Sequence, residues 1–134
     1  MMSKQKPTVM VVEDEYLLLQ AISKKLELNG ITAIPYSSGN QAIDCLNNLS
    51  ELPDAIWLDY QLKDMDGLEF MGQLKKNEKC AQIPVIVVSN SASEDKVNSM
   101  LALGAKKYLL KAEYRLDELI PIMKQFIAEN NTQA

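Results

Sequence analysis

What most constrains this chain is a strict alternation. Five short apolar runs are each followed by a stretch in which apolar residues recur at helical spacing. The runs fall at residues 8–12, 31–36, 55–58, 85–88 and 106–110. Four of them are almost continuously apolar, the pattern of parallel strands buried on both faces. The second, with Thr32 and Pro35 inside it, reads as an edge strand, because proline cannot donate to a ladder.

The segments between the runs carry helix signals at their ends. The first places Leu18, Leu19, Ile22 and Leu26 on one face and stops at Asn29 and Gly30, a C-cap pair. The second opens with Ser38-x-x-Gln41 and the third with Asp66-x-x-Glu69, at or near the capping-box pattern. A fourth helix is expected from Ser91-x-x-Glu94, carrying Val97, Met100 and Leu101 to a stop at Gly104. The fifth is expected from about Glu113, lining up Leu116, Leu119, Ile120, Met123 and Ile127. Residues 1–6 are expected to fray. No repeat or linker divides the sequence, so residues 1–134 read as one domain with an ordered core of about 6–128. Alternating βα units imply a doubly wound α/β fold, a parallel sheet with right-handed crossovers and helices on both faces. At this size the flavodoxin-like strand order 2-1-3-4-5 is expected, with a crevice between strands 1 and 3 at their C-terminal ends.

Composition narrows the chemistry. Apolar residues make up 47% and charged residues 24%, a globular balance. Histidine is absent, so any chemistry rests on carboxylates, hydroxyls and lysine. A net charge of −4 argues against a nucleic-acid surface. Cys45 and Cys80 lack the spacing of a zinc or redox motif and read as free thiols in a reducing cytoplasm. No apolar stretch is long enough to span a membrane, and the N-terminus lacks the apolar region of a signal peptide.

In a parallel sheet all strand C-termini share one edge, so the residues just past them converge. Glu13, Asp14 and Glu15 follow the first run, Asp59 the third, Ser89 the fourth and Lys111 the fifth. Taken singly, each has a plain reading: Glu13 and Asp14 could cap the first helix, Asp59 and Ser89 could be loop residues, Lys111 a solvated lysine. Their joint placement points elsewhere. Three carboxylates brought together repel and raise one another's pKa values unless a hard divalent cation such as Mg2+ (or Mn2+) joins them. With Lys111 and the Ser89 hydroxyl beside it, this inventory suits phosphoryl transfer, which needs charge neutralisation and positioning. Asp59 is the natural nucleophile, because a carboxylate can form an aspartyl phosphate without a separate base. The turn Val12-Glu13-Asp14-Glu15-Tyr16 has no glycine and is acidic, which speaks against a dinucleotide cofactor.

The Glu13-Asp14 pair, the stretch Leu58-Asp59-Tyr60-Gln61-Leu62-Lys63-Asp64-Met65-Asp66-Gly67, Ser89 and Lys111 together resemble the receiver domains of two-component response regulators. The resemblance runs from about Lys6 to Ala128. It implies Asp59 as phospho-acceptor, with Asp14 ligating magnesium directly, Glu13 through water, and the Gln61 backbone carbonyl completing the protein ligands. It implies Ser89 as the switch hydroxyl, Lys111 as a phosphoryl contact and Tyr108 as the switch aromatic. The implied partners are a histidine kinase or histidine phosphotransfer protein as donor, and a downstream protein on the face of the fourth helix, fifth strand and fifth helix, with a homodimer open. The implied activity is self-catalysed phosphoryl transfer and slow autodephosphorylation, not metabolic catalysis. Whether this is a stand-alone receiver or part of a longer regulator stays open.

Lys63 and Ala112 depart from the family pattern, which favours proline at both positions. A cis bond costs about 2.5–4 kcal/mol before a non-proline residue against about 0.5–1 kcal/mol before proline. The Lys111–Ala112 bond is therefore expected to be trans. The alternatives weighed are a phosphorylation-independent interaction scaffold, which loss of an acid or Lys111 would favour, and a haloacid-dehalogenase-type phosphohydrolase, which Asp59-Tyr60-Gln61 on the third strand does not fit.

Overall fold

The computed structural model describes residues 6–131, so the expected fraying of residues 1–6 and the last three residues of the expected domain lie almost wholly outside it. The elements are β1 (Thr8–Val12), α1 (Tyr16–Leu28), β2 (Thr32–Tyr36), α2 (Gly39–Asn48), β3 (Ala55–Leu58), α3 (Gly67–Lys76), β4 (Val85–Ser89), α4 (Glu94–Ala102), β5 (Lys107–Leu110) and α5 (Leu116–Asn131), with a 3-10 turn at Lys111–Glu113 before α5. The strands pair in parallel in the order β2-β1-β3-β4-β5, the doubly wound order expected from the alternation.

Alternate residues of a strand face opposite sides, and this divides the interior into two layers. On one side Met10, Val12, Ile56 and Leu58 pack with Phe70, Met71, Leu74 and Met100 of α3 and α4. On the other Val9, Val11, Trp57, Ile86 and Val88 pack with Ile22 and Leu26 of α1 and Met123 and Phe126 of α5. Each large apolar side chain removed from water contributes about 1.5–3 kcal/mol, so both layers are needed to hold the sheet.

The expected ends hold in the first three helices. Ser38 accepts a hydrogen bond from Gln41 N–H (3.2 Å) and Asp66 from Glu69 N–H (2.9 Å), and α1 ends at Asn29 before Gly30, whose φ of 80° favours glycine. Five expectations are corrected. The helix expected from Ser91 starts later, because Ser93 is the cap and accepts from Lys96 N–H (3.1 Å). The helix expected from Glu113 starts at Leu116, because residues 111–113 tighten into the 3-10 turn and Tyr114 is extended. Ser89 is the last residue of β4 and not the first beyond it. The fifth run starts at Lys107 rather than Lys106 and is not buried on both faces; with β4 as its one neighbour it is an edge strand, partly or fully exposed along its length. Ile31, expected in the second strand, lies just before it. The Lys111–Ala112 bond is trans, as expected.

Candidate functional site

The C-terminal edge of β1 and β3 is fixed by the ladder itself. Asp59 N–H donates to Val12 O (3.0 Å) and Glu13 N–H to Tyr36 O (3.1 Å), so sheet pairing continues one residue past each strand. The backbones of both acids are thereby set before their side chains make any contact. Glu13, Asp14 and Asp59 each present an oxygen within 4.8 Å of the others. The cluster is largely closed to solvent: Asp14 is half-buried, whereas Glu13 is 1% and Asp59 5% exposed.

Lys111 reaches this cluster from the far edge of the sheet. Its Nζ lies 2.8 Å from Glu13 Oε1 and 3.5 Å from Asp59 Oδ2, so it is paired more tightly with Glu13 than with the expected acceptor. Glu13 also accepts from Glu15 N–H (3.1 Å), but Glu15 is the N-cap residue and α1 has no side-chain cap, so Glu13 does not cap the first helix. Burial, then the neighbouring charge of Glu13, push Asp59 up to about 7, against the lowering influence of Lys111 and the Gln61 amide. Burial works against the charge on Lys111, but its bond to Glu13 and the negative charges around it outweigh that and raise its pKa. Three oxygen donors this close, the charge on one of them opposed first by burial and then by repulsion, fit a hard divalent cation.

The remaining expected residues lie on the β4–β5 flank. Ser89 is buried and its hydroxyl accepts from Ser91 N–H (3.3 Å). Tyr108 is half-buried, donates its hydroxyl to Ser91 O (2.6 Å), and packs its ring 6.3 Å from that of Tyr60. Lys96 sits 5.1 Å above the Tyr60 ring and donates to the Ser91 hydroxyl (2.9 Å). Gln61 pairs with Asp66 in an isolated antiparallel bridge at the base of the loop after β3. Sequence reasoning missed Tyr60 and Lys96 as parts of this flank. It also missed the Lys63 amide, which donates to Asp14 Oδ2 (2.6 Å); a backbone donor leaves no trace in residue type.

Comparison with known proteins agrees with this fold. The family described as response regulator receiver domain matches residues 9–124. The two-component response regulator ORR8 of Oryza sativa subsp. indica is 29% identical over 121 residues, which cover 90% of this chain and 98% of that protein. Several other curated regulators are matched over less than half their length. Among solved structures, the receiver domain of Francisella response regulator 1452 is 28% identical with a TM-score of 0.82, covering 94% of this chain and 100% of that one. The phosphorylated cyanobacterial phytochrome response regulator RcpA is 26% identical with a TM-score of 0.77, covering 90% and 91%.

Proposed function

The chain belongs to the response regulator receiver domain family, and on that premise we propose that it is a phosphorylation switch of a two-component system, with Asp59 as the acceptor. The observation that carries this reading is the acid cluster with Lys111 in ion-pair reach of both Glu13 and Asp59. A solved relative, RcpA, is known in a phosphorylated form.

In this reading Glu13, Asp14, Asp59 and the Gln61 backbone carbonyl hold Mg2+ (or Mn2+). When bound, the cation offsets the crowded negative charge and the charge on the phosphoryl oxygens. Asp59 attacks the donor phosphorus in line; the new O–P bond forms as the bond to the donor's leaving group breaks, and the leaving group carries away the electron pair. Lys111 keeps one partner in Glu13 while its ammonium turns toward a phosphoryl oxygen, and the Ser89 hydroxyl leaves Ser91 N–H to donate to another. Tyr108 then gives up Ser91 O and turns inward, which reshapes the face of α4, β5 and α5 for a downstream protein or a second copy. The phosphoryl donor is a histidine kinase or histidine phosphotransfer protein. Slow hydrolysis returns the domain to rest, so the chemistry is that of a switch and not of a metabolic enzyme. Among the described residues no helix is long and apolar enough to cross a membrane.

Incubation with magnesium and a small acyl phosphate, followed by intact mass measurement, tests this. One phosphoryl adduct on the wild type and none on Asp59→Asn is the expected result. Equal labelling of the two proteins, or none of the wild type, overturns the reading.

A further inference from the structure

The loop between β3 and α3 is fastened at more points than a surface connection of its length needs. Asp64, an exposed residue, accepts from both leading amides of α2, Gly39 N–H (3.0 Å) on Oδ1 and Asn40 N–H (2.8 Å) on Oδ2. Burial raises its pKa, but these two bonds together with one from its own backbone N–H outweigh that and lower it. Met65 lies against Gly39 so closely that a Cβ there would fall 2.5 Å from its Sδ, so any larger residue would force the Met65 side chain to shift. Leu62 N–H closes the loop on Met65 O (3.0 Å), and Gln61 pairs with Asp66 at its base. Clamped in this way to α2, the loop directs one backbone donor back across the crevice: Lys63 N–H meets Asp14 Oδ2 at 2.6 Å, joining residues 49 apart in sequence.

We propose that the Lys63 amide is a positioning group for the cation site, holding the Asp14 carboxylate by one oxygen so that the other is presented to the ion, and that Asp64 positions that amide by tying the loop to α2. This rests on the functional reading above, in which Asp14 is a ligand. A half-buried aspartate with no such partner would sample several rotamers, and binding an ion would have to stop that motion at an entropic cost. With Oδ2 already held by a charge-assisted hydrogen bond, most of that ordering precedes binding. Outer partners that orient a ligand in this way typically change metal affinity by about 10–100-fold when removed. The Lys63 side chain is exposed and takes no part, so the position contributes through its N–H alone.

The donor can be deleted without touching any acid, because proline has no N–H. Titration of wild type, Lys63→Pro, Lys63→Ala and Asp64→Ala with magnesium chloride, followed through the backbone amide shifts of Asp59 and Leu62, gives a Kd for each. Lys63→Pro is expected to weaken magnesium about tenfold, Lys63→Ala to stay within about twofold of wild type, and Asp64→Ala to fall between them. Thermal unfolding without magnesium separates this from a general loss of stability. Should Lys63→Pro fail to fold, Asp64→Ala against Lys63→Ala carries the same comparison. Equal affinity in all four proteins overturns the proposal while leaving the cation site intact. Equal weakening in Lys63→Ala and Lys63→Pro overturns it by assigning the effect to the side chain. No magnesium binding by the wild type removes both the proposal and the reading beneath it.

Discussion

The two ends of the sheet's functional edge are built to different standards. At β1 and β3 every strand residue from Val9 to Val12 and from Ala55 to Leu58 is buried, and ladder bonds continue onto Glu13 and Asp59. On the other flank β5 has no buried residue, and α4 buries Met100 alone. There three polar contacts meet at Ser91: the Tyr108 hydroxyl on its carbonyl, Lys96 on its hydroxyl, and its own amide on Ser89. Segments with few buried apolar contacts and exposed hydrogen bonds open at lower cost than core strands. The acid cluster is thus placed on buried central strands and the aromatic on an exposed edge strand, with the Ser89 hydroxyl at the buried end of β4 between them. A phosphoryl group on Asp59 would meet a fixed site and bias a loose one.

The contrast can be broken at the rigid end first. Asp59 is buried with its pKa raised to about 7, so between the unfolded value of 3.8 and about 7 the folded chain binds more protons than the unfolded one. Stability of the cation-free protein should therefore fall as pH rises through that window, with the full penalty present above about 7. Asp59→Asn removes this titration. With a chelator present, urea unfolding should find the mutant about 2–4 kcal/mol more stable than wild type at pH 8 and close to it at pH 4. A mutant less stable than wild type at pH 8 would mean that Asp59 is not under electrostatic strain.

Lys111 joins the two ends, since it starts from the edge strand and finishes on the acids. Lys111→Gln should slow phosphoryl uptake from an acyl phosphate by about 10²-fold, the typical loss when one stabilising donor is removed. The fold should survive, because the amide can still bond Glu13. A rate within a few-fold of wild type would show that Lys111 is only a structural partner of Glu13.

Much of the rigid end was legible in the sequence and less of the loose one. The apolar runs at β1 and β3, with acids directly behind them, left little freedom in register. Around α4 the sequence offers two serines, Ser91 and Ser93, each at cap spacing from a following residue. Ser91 is engaged elsewhere, its hydroxyl by Lys96 of α4 itself and its carbonyl by the Tyr108 hydroxyl of β5, while Ser93 caps the helix. The apolar look of residues 107–110 likewise does not say whether a strand is central or at an edge. Phe126, buried in the α1–α5 layer, was missed from the expected apolar face of α5, although it lies seven residues beyond Leu119 and so on the same face. The pairing of Lys111 with Glu13 ahead of Asp59 was not legible, since convergence at one edge does not rank partners by distance.

The smallest expected effect lies on the loose flank. Tyr108→Phe removes the hydroxyl bond to Ser91 O and should cost about 0.5–1.5 kcal/mol. Amide exchange should rise at residues 89–92 and stay unchanged in β1 and β3. A mutant with wild-type exchange at residues 89–92 would show that this bond does not hold the loop.

Hydrogen–deuterium exchange before and after treatment with acyl phosphate and magnesium tests the central contrast most directly, provided intact mass shows the adduct in the same sample. The account predicts that the changes concentrate in residues 89–110, through the loop after β4, α4 and β5, while peptides covering β1 and β3 keep their protection. An adduct on Asp59 with unchanged exchange across residues 89–110, or with changes confined to α1 and α2, would contradict it.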